Sequence, residues 1–334
     1  MKRQKESGRF TNWSIVAFIA LIGIVFGLCQ VVAASDDFPR GAVTVIVPFR
    51  PGGGTDIETR NILPFVQKHL GVSVVAKSMP GAATTIGTAA AARAKPDGYT
   101  IICLPQPAGI LAQEFHGTGT GIQNFEAIYG WFEGPMDVAV RTDSPYKTFE
   151  QLVSVAQKRP LKASLAGIGS IDHLHTLLLK KYVGVKSTTI PYGGGGPATA
   201  AVIKGEVEWH VGLSTTSVRF VRNNQLRVLA ILGPEPIEAL SGVRTIYDIG
   251  FKSYPNVSFV RGVLAPPGTP PSVVNKLETA FRKAVDDPGF REIMKKQGRP
   301  VKAFSREKMN AAVQNGYALA KQYIPFMKET AKKK

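Results

Sequence analysis

Runs of aliphatic and β-branched residues alternate with segments of helical period along most of this chain. Residues 42–47 (AVTVIV), 72–76, 99–104, 136–140, 161–167, 187–192, 207–212 and 226–232 read as short strands. Between them, residues 55–69, 85–94, 148–158, 170–182, 197–204 and 214–223 read as helices. Thr55-x-x-Glu58 and Thr148-x-x-Gln151 have the spacing of a capping box. Thr269 before Pro270 has the form of an N-cap with proline at the first helical position. After it, Val273, Val274, Leu277, Ala280, Phe281, Ala284 and Val285 recur at the spacing of one buried helix face. Strand and helix in alternation with short connections predict an α/β fold of mostly parallel sheets flanked by helices.

Two segments read as crossings between halves, 136–148 (MDVAVRTDSPYKT) and 259–271 (FVRGVLAPPGTPP). They divide the chain into a first lobe of residues 35–136 with 265–334 and a second of 137–264. No long flexible linker separates the two, so short strands at a hinge are expected to join them.

The first 34 residues have a different pattern. A basic start, MKRQKESGR, precedes an unbroken apolar run at 15–28, and VVAAS ends it with small residues. This is the layout of a secretory signal peptide, with cleavage expected after Ala34. The apolar run is shorter than the ~20 residues a spanning helix needs. Removal takes away Lys2, Arg3, Lys5, Arg9 and Glu6, which lowers the formal charge from +17 to +14. Cys29 leaves with the peptide, and Leu28 before it argues against lipidation. Only Cys103 remains, so an intramolecular disulfide is excluded and the exported protein must rely on its core.

The chemistry is narrowed mostly by exclusion. The loop PGGGTD at 51–56 has no Lys-Ser or Lys-Thr to close a nucleotide P-loop, and G-x-G-x-x-G is absent. His173 and His175, two residues apart on a helix, point in different directions and cannot easily share an ion. Ser144-x-x-Lys147 encloses a proline and lacks companion motifs. No catalytic group, metal ligand, cofactor or nucleic-acid partner is therefore expected. What remains is a set of glycine-rich loops after strands: 51–56, 80–87 (PGAATTIG), 167–170 (GIGS) and 192–197 (YGGGGP). In open parallel sheets, ligands bind outside the carboxyl ends of strands. There the first amides of a helix are unpaired and carry partial positive charge. Glycine lets that backbone approach a ligand. Such loops suit an organic anion, with hydroxyls at Thr55, Thr84, Thr85 and Ser170 to complete the hydrogen bonds.

With those loops, the chain resembles the extracytoplasmic receptors of tripartite tricarboxylate transporters, the Bug family of periplasmic solute-binding proteins. The resemblance rests on VTVIVPFRPGGGTD, MPGAATTIGTAAAARAKPDGYT, SPYKTFEQLVSVAQKRP, IPYGGGGPATAAVIKGEVE and VLAPPGTPPSVVNKL, and it spans residue 38 to about 330. It implies a monomeric, two-lobed periplasmic binding protein of type II, a Venus flytrap. That protein would hold a small carboxylate and pass it to membrane permease subunits; the alternative is a periplasmic sensor reporting to a signalling partner. It further implies ligand contacts from Phe49, Gly52, Gly53, Gly54, Thr55 and Asp56 in the first loop; Arg50 beside them offers a bidentate carboxylate contact of its own, the alternative being a surface-facing arginine. The second loop would add Gly81, Ala82, Ala83, Thr84 and Thr85. The second lobe would contribute Gly169, Ser170, His173, Tyr192 and Gly193. The chain departs from the family pattern where Arg50 replaces a small residue, Gly193 a lysine and Gly212 an aspartate.

Overall fold

The computed structural model describes residues 38–82 and 84–332. The expected signal peptide and Ala83 lie outside the described residues. The first sheet contains β1 (Val43–Val47), β2 (Val74–Ser78), β3 (Thr100–Cys103), β4 (Glu126–Gly134) and β10 (Phe259–Ala265) in the order β2-β1-β3-β10-β4. The second contains β5 (Met136–Arg141), β6 (Leu161–Leu165), β7 (Ser187–Pro191), β8 (Trp209–Leu213) and β9 (Leu226–Leu232) in the order β7-β6-β8-β5-β9. These are two mixed sheets of one design. In each, three strands run parallel and the fourth runs against both its neighbours.

The antiparallel strand has a topological cause. β4 ends at Gly134 and β5 starts in the other sheet at Met136, with only Pro135 between them. Met136 pairs with Leu213, the last residue of β8. β5 thus enters the second sheet at the edge where its parallel strands finish, and must run backwards. β10 does the same on the return, with Val260 bridged to Gln106 just beyond β3. The return to the first sheet therefore falls before residue 259. Residues 259–264, placed with the second lobe by the sequence, hydrogen-bond along β3 and β4. β4 and β10 escape the strand pattern because they are buried on both faces, which removes the alternation of apolar and polar positions.

Helices cover the sheets: α1 (Gly54–Leu70), α2 (Thr85–Ala92) and α3 (Ala108–His116) follow β1, β2 and β3. Next come α4 (Phe149–Lys158), then α5 (Ile171–Val183), α6 (Gly195–Lys204) and α7 (Ser214–Arg222), which follow β6, β7 and β8. The chain closes with α8 (Pro271–Asp286), α9 (Pro288–Lys296) and α10 (Arg306–Lys332). Thr148 and Gln151 form the expected capping box at α4. Every residue of the expected buried face of α8 is buried, and Phe281 stacks on Trp131 at 6.2 Å. α10 packs on α3 and β4 and reaches α5, so the two sheets with their helices form one compact unit. No described helix is long and apolar enough to cross a membrane.

Candidate functional site

Because β1, β2 and β3 are parallel, the helices after them all begin at one edge of the first sheet. α5, α6 and α7 begin at the matching edge of the second. Six helix N-termini thus gather where the two sheets are joined. The edges meet at Gly54, where an added Cβ would lie 3.6 Å from Thr216 Oγ1 of α7. The two halves also touch where Phe115 and His116, at the C-terminal end of α3, pack on the 167–170 loop, with His116 Nε2 3.0 Å from the carbonyl of Ile168.

The PGGGTD loop is held open by its own helix. Gly52 takes a left-handed φ of +79°, and its amide donates to Asp56 Oδ2 at 3.0 Å. Arg60 Nε and Ser78 Oγ donate to Asp56 Oδ1 at 3.0 and 3.2 Å. Burial pushes this carboxyl up, but Arg60, the Gly52 amide and Ser78 outweigh it and hold the carboxyl below its ordinary value. Asp56 is thus engaged by the loop itself. Gly53 is the N-cap residue, and no side chain caps α1. The capping box read at Thr55 and Glu58 does not form. Helix begins one residue earlier than expected, and Glu58 turns inward to two arginines. The amides that open α1 are left without an intrahelical acceptor.

The second half repeats the device. Asp172, in the first turn of α5, accepts a hydrogen bond from the Ala166 amide, as Asp56 does from Gly52. Ser170 caps α5 by accepting from the His173 amide at 3.3 Å and donates to the Gly167 carbonyl at 2.5 Å. His173 is buried, and its Nδ1 accepts from the Gly169 amide at 3.2 Å. His175 lies deeper, against Tyr254 and the Val257 carbonyl, and burial pushes it down to about 4.

The remaining sequence candidates are distributed as follows. Arg50, Gly81, Ala82 and Gly193 are exposed; Phe49, Gly53, Gly54 and Tyr192 are half-buried. Ala82 and Thr84 both take left-handed φ angles, 45° and 75°, each a strain on the order of 1–3 kcal/mol. The Thr84 hydroxyl accepts from Gln113, and that of Thr85 pairs with Thr118 at 2.7 Å. Gly87 has to be glycine for packing, since a Cβ would sit 2.8 Å from Pro48 and from the Met79 carbonyl. Gly193 faces open space, whereas a Cβ on Gly194 would lie 3.6 Å from Pro197.

Two groups escaped the sequence reading. One is the first turn of α7, Ser214-Thr215-Thr216-Ser217, where the buried hydroxyls of Ser214 and Thr215 have no hydrogen-bond partner among the described residues. The other is a buried ion cluster directly behind α1. Glu58 Oε1 receives Arg299 Nη1 at 2.6 Å, and Glu58 Oε2 is paired with Arg261 Nη1. Arg261 stands alone in the apolar run SFVRGVLAP, a signal of a paired, buried charge.

Beside this region, Asp137 of β5 faces Gly212 of β8 in a buried space shared with His210 and Ser217. Burial pushes the Asp137 carboxyl up to about 7, against the opposing pull of Ser217 and the Gly212 amide. Burial alone pushes His210 down to about 4. An aspartate at position 212 would meet Asp137, since even a Cβ there lies 3.1 Å from its Oδ1.

Residues 58–327 match the profile of the tripartite tricarboxylate transporter family receptor. The chain belongs to that family. BugD, a periplasmic binding protein, superposes with a TM-score of 0.78 at 29% identity, over 88% of this chain and 99% of BugD. MatC from Rhodopseudomonas palustris, with bound malate, gives 0.76 at 26% identity, over 86% of this chain and 100% of MatC. R. palustris Rpa4515, with adipate, gives 0.77 at 25% identity, over 87% and 98%. The two mixed sheets are those of a type II periplasmic binding protein, and this family member is a solute receptor, not an enzyme.

Proposed function

We propose that the protein captures a small organic carboxylate between its two sheets and presents it to the permease subunits of a tripartite transporter. One observation carries this reading: the uncapped N-terminus of α1, with its loop held open by the Asp56–Gly52 hydrogen bond, faces the N-terminus of α7 across the junction of the sheets. Unpaired amides and a helix dipole form an anion site without further chemistry. Similar proteins hold malate and adipate, which makes dicarboxylates the first ligands to try.

In this reading each sheet with its helices is a lobe. Closure turns on residue 135 and the 233–258 connection, and it follows if the ligand contacts both lobes. The exported form begins after Ala34. Membership of the family supports delivery to a permease; a sensor would use the same cleft.

Gly53→Val and Thr55→Val test the cradle. Gly53 has an extended φ of −73°, and a Cβ there meets only the Arg50 carbonyl at 3.4 Å, so the apo protein is expected to fold. The valine side chain occupies space a carboxylate needs, and malate or adipate affinity measured by calorimetry falls at least ~100-fold. Thr55→Val removes one hydroxyl from a buried site and costs about tenfold, the scale of one hydrogen bond. Unchanged affinity in a folded Gly53→Val protein reduces the loop to a turn.

A further inference from the structure

We propose that Arg261 and Arg299 set the charge of the ligand, selecting a dianionic carboxylate over a monoanionic one. This rests on the carboxylate reading above. Arg261 is 1% exposed, and its guanidinium lies 5.0 Å from the ring centre of Phe132 and 5.1 Å from that of Phe259. Arg299 is 4% exposed and enters from the turn after α9. Both reach the same carboxylate, Glu58, which is fully buried. Arginine does not give up its proton inside a protein. Two guanidiniums against one carboxylate therefore leave one positive charge in excess among these three residues.

The excess is aimed at the cradle. Arg299 Nη1 donates to the Gly54 carbonyl at 3.2 Å. A Cβ on Gly54 would lie 3.7 Å from Arg299 Nη1, 3.8 Å from Arg261 Nη2 and 3.6 Å from Thr216 Oγ1 of the facing helix. The Nε atom of Arg261 has no hydrogen-bond partner among the described residues. The amides and dipole of α1 suit one carboxylate group, since a helix end carries only about half a charge. A second negative charge on the ligand is what the arginine pair is left to balance, through a medium that screens little. Both residues are positioning residues: they act through the floor of the site.

The test compares adipate with monomethyl adipate, which has nearly the same shape and one charge less, by calorimetry at pH 7.5 and fixed low salt. The parent is expected to bind adipate at least about tenfold more tightly, equal to about 1.4 kcal/mol. Arg299→Lys keeps the charge and keeps the ratio. Arg299→Gln leaves a neutral Glu58–Arg261 pair and brings the ratio to within about threefold of one. If Arg299→Gln does not fold, Glu58→Leu/Arg261→Met/Arg299→Met carries the same expectation without stranding a buried charge. A parent that binds both ligands equally, or a folded neutral variant that keeps the parent's ratio, overturns the inference and leaves the carboxylate reading intact. A parent that binds neither these two nor malate overturns both.

Discussion

Glu58→Ala is expected to cost about 3–5 kcal/mol of stability, the range for stripping one partner from a buried ion pair. The carboxylate is fully buried and joins Arg261 of β10 to Arg299 beyond α9. Its loss leaves two guanidiniums close together, charged and out of reach of water. The residual alanine also cannot replace the 2.6 Å bond from Arg299. Urea unfolding of the parent and variant gives the difference directly. Replacing all three charges by Leu and Met restores most of the loss, because neither desolvation nor repulsion remains. A cost for Glu58→Ala below about 1 kcal/mol, typical of exposed pairs, contradicts the burial of this cluster.

Asp137→Asn is expected to change how stability depends on pH. Burial pushes the Asp137 carboxyl up to about 7 in the fold, from an ordinary value of 3.8. A raised carboxyl contributes stability that is complete below the unfolded value and lost as pH rises through the folded one. The parent therefore loses on the order of 2–4 kcal/mol from this group between pH 4 and pH 8. Asparagine stays neutral and has no such loss, so the variant gains on the parent steadily across that window. His210 and His175, held near 4 against 6.5, act in the opposite sense. Their contribution is present above pH 6.5 and disappears as pH falls through 4. Both proteins carry these histidines, and burial rather than Asp137 is what lowers them, so the difference between the two proteins reports mainly on Asp137. Urea midpoints at pH 4.5, 6 and 8 measure it. A stability difference that stays constant across the three values shows that Asp137 is ionised in the fold.

The architecture was largely legible because its signals are local. β1, β2 and β3 are short apolar runs punctuated by turn residues, and α8 carries its buried face at regular spacing. The Thr148 box lies within four consecutive residues. The glycine loops stood out because few residues other than glycine tolerate the φ angles of Gly52, Gly169 and Gly193. Strands β4 and β10 were hidden because burial on both faces erases alternation. That obscured where the chain returns to the first sheet, and with it the pairing of residues 259–264.

The site is a different case, because most of its groups come from distant parts of the chain. The sequence by itself determined that strands alternate with helices, that glycine-rich turns precede several of those helices, and that the loops lack the residues of a nucleotide site. Those properties depend on neighbours in the chain. Only the tertiary structure decided that Thr84 and Thr85 bind Gln113 and Thr118, and that Asp56 holds the Gly52 amide. It also decided that Glu58, with the spacing of a cap, is the counter-ion of residues 203 and 241 positions away. The reason is physical: a charge declares its partner only when burial removes water as the alternative, and burial here is set by β10 and the turn after α9 returning to the first sheet.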